Sequence, residues 1–295
     1  MLLAGTTRNL WNLDASYSIA EDVGVCALAT SSGHCWALLD GSRIDRIGEF
    51  DLSPVCDLGA ADGQSLAAMP SGSLIVGRTG ARLALVPSAG DAPRALDSFD
   101  VVQGRDEWEN PAGPTPDLRS LASDAGGRLY VNVHVGGLWL SDDEGDTWSA
   151  SIEPVADVHE VTTSDGTVAV AAAGGFGWST DRGASWNWTE EGLHASYCRA
   201  VALDGEVAYV TASTGPSTNQ AAVYRCAHLG EPFVKLAGGL PEWFTTNVDT
   251  STLAAKDGVV AIGTRDGNVW RSLDGGTTFD KIAFELGPVT TVLLA

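Results

Sequence analysis

The chain alternates short apolar runs with glycine-rich polar turns, and the runs have the length of β-strands rather than helices. Toward its end the pattern predicts strands at 250–255, 259–264, 268–273 and 279–285. Before them come 198–203, 207–212, 222–226 and 233–238. Two more groups begin at Leu118 and Val158. The rhythm continues upstream through 65–70, 74–77, 82–87 and 94–99, and through 25–30, 35–40, 43–50 and 54–58. Glycine, at 35 residues, gathers in the turns, where hairpins need left-handed backbone. These are six sets of four strands, and a seventh is divided between the chain ends. Residues 289–294 read as its innermost strand and 2–5, 9–14 and 16–20 as its second, third and fourth. Pairing the ends in one sheet removes an open sheet edge.

Within this rhythm three segments match closely: 141–148 (SDDEGDTW), 179–186 (STDRGASW) and 272–279 (SLDGGTTF). All read S-x-D-x-G-x-[ST]-[WF]. A degenerate fourth, 226–233, keeps only the glycine and the aromatic. Successive copies begin 38, 47 and 46 residues apart, the length of one four-stranded propeller blade. The motif resembles the Asp-box, or bacterial neuraminidase repeat, of the sialidase-like propellers. The prediction is therefore all-β: a single seven-bladed β-propeller of four-stranded blades spanning 1–295, with six or eight blades as alternatives. Each box is expected at the turn between third and fourth strands. There Asp143, Asp181 and Asp274 accept turn hydrogen bonds, the glycine takes positive φ, and the aromatic packs between sheets. These aspartates read as fold residues, not acids or metal ligands.

Charge changes the picture next. Asp and Glu total 38 against 17 Lys and Arg, a net charge of −21, and only three of the basic residues are Lys (Lys235, Lys256, Lys281). An acidic, lysine-poor surface resembles the cytoplasmic proteins of salt-accumulating haloarchaea, where screening shortens to about 3 Å at molar salt. Such a surface speaks against nucleic-acid binding. The five cysteines (Cys26, Cys35, Cys56, Cys198, Cys226) form no CxxC pair and read as free thiols. No apolar run reaches the roughly 18 residues of a membrane span. The expectation is a soluble, cytoplasmic monomer.

In propellers, the connections entering the innermost strands and those between second and third strands share one face, the mouth of the central channel. Aligned positions at that mouth are Gln64, Arg119, His159, Arg199, Ser251 and Thr290, and the second-to-third connections add Arg8, Arg78, Arg82, His134 and Arg265. Six arginines on one face of so acidic a chain point to a locally positive mouth, unless neighbouring acids such as Glu160, Asp249 and Asp266 neutralise them. Two connections exceed the repeat: 103–117, carrying Trp108, and 214–221. Trp243 is a further candidate aromatic. The candidate partner-binding set is Arg8, Arg78, Trp108, Arg119, His159, Glu160, Arg199, Trp243 and Arg265.

The sialidase resemblance implies an arginine triad, a Tyr–Glu nucleophile pair and an Asp acid/base. Arg43-Ile44-Asp45 lacks the [FY]-R-I-P context of the first of these arginines, and no motif selects Arg8, Arg119 and Arg199 as a triad or pairs Tyr197 with Glu160. The chain more closely resembles the photosystem II stability/assembly-factor-like propellers, which imply a non-catalytic scaffold with an arginine-rich mouth. The expected function is thus an interaction or assembly scaffold for a protein or anionic ligand, the alternative being a sialidase-like glycoside hydrolase. His134, His159, His194 and His228 show no H-x-H or HExxH spacing, so neither metal nor cofactor is expected.

Overall fold

A computed structural model describes residues 1–88, 92–111 and 113–295. Seven four-stranded antiparallel sheets follow one another, each a simple meander from inner to outer strand. The inner strands are Val25–Ser31, Gly63–Ala68, Leu118–Ser123, Val158–Ser164, Tyr197–Asp204, Leu253–Lys256 and Val289–Leu294, and they define blades 1 to 7. Blade 7 is completed by Leu2–Thr6, Asn9–Asn12 and Tyr17–Glu21, with Leu2 to Gly5 paired to Leu294 to Thr291. The predicted closure is therefore present. Met1 and Ala295 also exchange backbone hydrogen bonds, at 3.0 and 2.9 Å.

Strand periodicity explains the core. Successive side chains point to opposite faces of a sheet. In a propeller both faces meet a neighbouring blade, so the middle strands read as continuous apolar runs. Leu129–Val133 is buried throughout: Leu129, Val131 and Val133 pack toward blade 2, and Tyr130 toward blade 4. Among the described residues the buried hydrophobics divide into seven clusters, one for each contact between adjacent blades.

The outer strands of blades 2, 5 and 6 are shorter than the pattern predicts. Blade 2 ends in Arg94–Ala95, after which a 3-10 turn, Asp97–Val101, carries Phe99 into the core between blades 2 and 3. Blade 5 ends in Val234–Lys235.

The three matching segments sit at third-to-fourth-strand turns. Thr147 donates its N–H to Asp143 Oδ1 at 2.8 Å and its hydroxyl to Oδ2 at 2.6 Å, while Ser141 Oγ donates to Oδ1 and accepts from the Gly145 N–H. Asp181 and Asp274 repeat the arrangement, and these bonds hold both carboxyls down at about 2, through Ser185 in one case and Thr278 in the other. Two successive left-handed residues make the turn, Glu144 with Gly145, Arg182 with Gly183, and Gly275 with Gly276. A Cβ at Gly145 would lie 2.6 Å from Leu96 Cδ1, so the glycine also lets the turn press against the preceding blade. The aromatic follows it inward: Trp148 stacks near Phe99 and donates to Ser98 Oγ at 3.1 Å, and Phe279 is buried between blades 5 and 6. All five cysteines are free, three of them buried. No helix among the described residues is long and apolar enough to cross a membrane.

Candidate functional site

The inner strands line a central channel to which all seven blades contribute, with a volume of about 570 Å³. At one end it opens into a second cavity of about 710 Å³, bordered by Thr7, Gln64, Asp117–Arg119, Arg199, Asp249–Thr250, Thr252, Arg265 and Pro288–Thr290. These belong to the connections entering inner strands and to second-to-third-strand turns, so this end is the predicted mouth. A bulge marks the mouth end of most inner strands, where the pairing register skips Cys26, Gln64, Arg119, His159 and Thr290, and both Arg199 and Ala200. A residue released from the ladder can be re-aimed. This is how Gln64, Arg119, Arg199 and Thr290 come to border the cavity.

Three arginines stand against two aspartates there. Asp249 is shared by Arg199 Nη1, in a short hydrogen bond, and by Arg265 Nε at 3.2 Å. Arg199 also donates to the Tyr197 hydroxyl at 3.2 Å, while its buried Nε has no partner. Arg119 is mostly buried and makes no side-chain hydrogen bond within the described residues. Among the described residues its one ion pair is to Asp117, at 3.9 Å. Burial, and next the charge of Arg199, push the pKa of Arg119 down from its ordinary value. A guanidinium nevertheless stays protonated, so the mouth holds a poorly compensated cation in a chain of charge −21.

Glu160 lies just inside, on the channel wall. Its Oε2 accepts the N–H of Val201 at 2.9 Å and its Oε1 that of Ser251 at 2.8 Å, tying blade 4 to blades 5 and 6. Burial raises its pKa to about 8, and the two amides pull the other way.

Beside it, sequence-distant groups converge between blades 3 and 4. His134 follows the second strand of blade 3, and Asp157 and His159 flank the start of blade 4. The imidazole centroids are 6.1 Å apart, and Asp157 faces both rings at 3.4 and 3.5 Å. His159, then His134 and Arg119, hold the Asp157 carboxyl below the ordinary carboxylate range against the effect of burial. The sequence placed these histidines on different blades, and the fold makes those blades neighbours.

The remaining candidates lie apart from the cavity. Arg8 is exposed and paired with Asp22 at 2.6 Å, and Arg78 is paired with Asp62 at 2.8 Å. Trp108 is buried against Phe99, Trp139 and the Arg105 guanidinium, so the 103–117 connection uses its aromatic to seal the core between blades 2 and 3 rather than to face solvent. Of that connection, residue 112 lies outside the described residues. Trp243 packs on His194, with the Lys235 ammonium 3.3 Å above its ring, toward the outer side of blade 5. The 214–221 loop is anchored by Asn247, which donates to the carbonyls of Gly215 and Pro216. Asp117 and Asp157, which shape the site, were not singled out in the sequence.

The architecture is a seven-bladed β-propeller. No family model matches the chain, and no curated protein does. Among solved structures it is similar to the GH74 enzyme of Niastella koreensis, with TM-score 0.64 and 15% identity over 96% of this chain and 47% of that one. It is similar to the GH74 xyloglucanase of Xanthomonas campestris, with TM-score 0.63 and 15% identity over 94% and 46%. The WD40 repeats of RRP9 match with TM-score 0.60 and 11% identity over 95% and 84%. The chain spans about half the length of either GH74 enzyme. At such identities the likeness is one of fold, and fold alone does not carry function.

Proposed function

We propose that this propeller is a non-catalytic binding scaffold whose mouth takes an anionic group, carried by a partner protein or a small ligand. The observation that carries this is Arg119: mostly buried, beside Arg199, and without a hydrogen-bond partner within the described residues. A buried cation lacking close partners is costly, and an incoming carboxylate or similar anion offsets that cost with charge-assisted hydrogen bonds. The three repeat turns support an Asp-box propeller. A glycosidase needs two available carboxylates across a sugar. Here Asp249 is clamped by two arginines, Asp117 faces Arg119 and His134, and Glu160 is held by backbone amides.

The test is an Arg119→Ala/Arg199→Ala double variant, verified as folded, compared with wild type in pull-downs and in a small-anion screen. Binding weakened at least tenfold in the variant supports the mouth as the working surface. Undiminished binding, or turnover of a glycan by the wild type, refutes the proposal.

The acidic, lysine-poor coat supports residence in the cytoplasm of a salt-accumulating cell. If self-repulsion limits stability, raising KCl from 0.1 M to 2 M shortens the screening length from about 10 Å to a few ångströms and raises the unfolding midpoint by several degrees. A flat or falling midpoint in thermal unfolding counts against this assignment.

A further inference from the structure

We infer that His134, Asp157 and His159 form a binding site for one divalent transition metal, with zinc the best fit. Both rings are at least nine-tenths buried, at 4% and 0% exposure. His159 Nδ1 donates to the carbonyl oxygen of Cys198 at 2.5 Å, while His134 Nδ1 lies 3.2 Å from Asp117 Oδ1 with neither atom hydrogen-bonded. An Nδ1–H directed at an acceptor leaves the lone pair of a neutral imidazole on Nε2. Both Nε2 atoms then converge on the Asp157 carboxylate, His134 at 3.4 Å and His159 at 3.5 Å. Lone pairs facing an anion repel unless a cation, either a proton on Nε2 or a metal ion, lies between them. His159 Nε2 and Asp157 Oδ1 are indeed buried without a hydrogen-bond partner.

The spacing suits that cation. Zinc holds nitrogen and oxygen ligands at about 2.0–2.1 Å, which in a tetrahedron sets ligand atoms about 3.4 Å apart. One ligand atom from each residue can be chosen so that all three lie within 4.8 Å of one another, so a small rotation of the rings closes the set. Two imidazoles and one carboxylate select zinc or a neighbouring transition ion over calcium or magnesium, which prefer oxygen cages. The Asp157 side chain is 28% exposed, giving the ion a path and a solvent ligand in the fourth position. The Cys198 carbonyl supplies an outer hydrogen bond that orients His159, and Asp117 Oδ1, 3.2 Å from His134 Nδ1, is placed to do the same for His134 once the ring turns toward the ion.

The experiment uses the intact chain, stripped with a chelator and kept in excess magnesium to mask surface carboxylates. It is titrated with zinc by calorimetry and with cobalt(II) by visible absorption. The expected result is one equivalent of zinc and the intense bands of four-coordinate cobalt. His159→Ala and Asp157→Asn should weaken binding by roughly 100-fold or more, and Asp117→Asn by about 10- to 100-fold with the stoichiometry kept. His228→Ala, on an exposed turn, should leave it unchanged. If His159→Ala fails to fold, His134→Gln takes its place. No stoichiometric uptake by wild type, only the weak bands of six-coordinate cobalt, or equal uptake by Asp157→Asn overturns the site.

Discussion

Deleting residues 289–295 is expected to abolish folding, whereas rejoining the ends and cutting elsewhere is expected to preserve it. The strand Val289–Leu294 is the inner edge of blade 7, and it packs beside the inner strands of blades 6 and 1. Without it, Leu2–Thr6 presents a bare edge to the channel and the contacts on both sides of blade 7 open. Val289 and Val292 are buried, worth about 1.5–3 kcal/mol each. The loss of the five residue pairs between this strand and Leu2–Thr6 adds to this, against a total stability of only about 5–15 kcal/mol for a typical domain. The covalent order matters much less. Met1 and Ala295 form a mutually hydrogen-bonded pair, the geometry that flanks a two-residue hairpin turn. An Asn-Gly dipeptide inserted between Ala295 and Met1, with new ends between Ala60 and Ala61 in an exposed connection, makes every blade contiguous in sequence. Circular dichroism and thermal unfolding should find this permutant folded with a midpoint near wild type. A folded, cooperative deletion variant would show that the ring closes without the inner strand of blade 7.

The ring was legible in the sequence because its causes are local and repeated. Alternation within strands, glycines at turns and three copies of one motif each reflect a backbone requirement met within a few residues, and the blade period follows from repeating them. Even the split blade was readable, since 289–294 lacks the strands that should follow it. The outer strands were less so. Phe99 looks like the end of a strand, but it leaves the sheet in a 3-10 turn because the pocket beneath Trp108, Trp139 and Trp148 draws its ring inward. That pull comes from residues up to 49 positions away and leaves no local mark. The mouth shows the same division. Arg119, Arg199 and Arg265 could be placed by alignment of blades, because strand ends recur. Asp249, one of the acids expected to neutralise them, serves both Arg199 and Arg265, but Asp117 beside Arg119 had no such signal, and His134 meets Asp157 and His159 only where blade 3 abuts blade 4. Trp108 carried the opposite error: a tryptophan among acids in a long connection reads as exposed, yet the connection folds back and buries it. The D-x-H spacing of Asp157 and His159 was the one local signal available for the histidine cluster.

Glu160 joins the fold to the site, and its replacement is expected to be among the most damaging of single substitutions. At the equivalent point of blade 3, Ser120 Oγ accepts one backbone amide, that of Val161 in the next blade. Glu160 does the same for Val201, and its longer arm also reaches Ser251, two blades on. Ser251 is a left-handed non-glycine residue, with φ 63°, a conformation that persists only where its surroundings enforce it. Thr250 is docked beside it, its hydroxyl shared between the carbonyls of His159 and Arg199. This short segment begins with Asp249, the acid that clamps Arg199 and Arg265. Glu160→Ala leaves the buried amide of Val201 and the part-buried amide of Ser251 without acceptors, each worth up to about 1–3 kcal/mol. Some of that is offset by removing a carboxyl whose own burial is unfavourable. A net loss of about 2–4 kcal/mol is expected from denaturant unfolding. Glu160→Gln keeps one acceptor but turns an NH2 group toward the other amide, so it should fall about halfway. An alanine variant as stable as wild type would mean that burying the carboxyl costs as much as its two hydrogen bonds return. The same substitutions reach the mouth without touching it: once Ser251 and Thr250 loosen, Asp249 loses its fixed position and Arg199 its orientation. In the folded glutamine variant, anion binding should weaken while the arginines themselves remain, which separates the positioning of the cations from their presence.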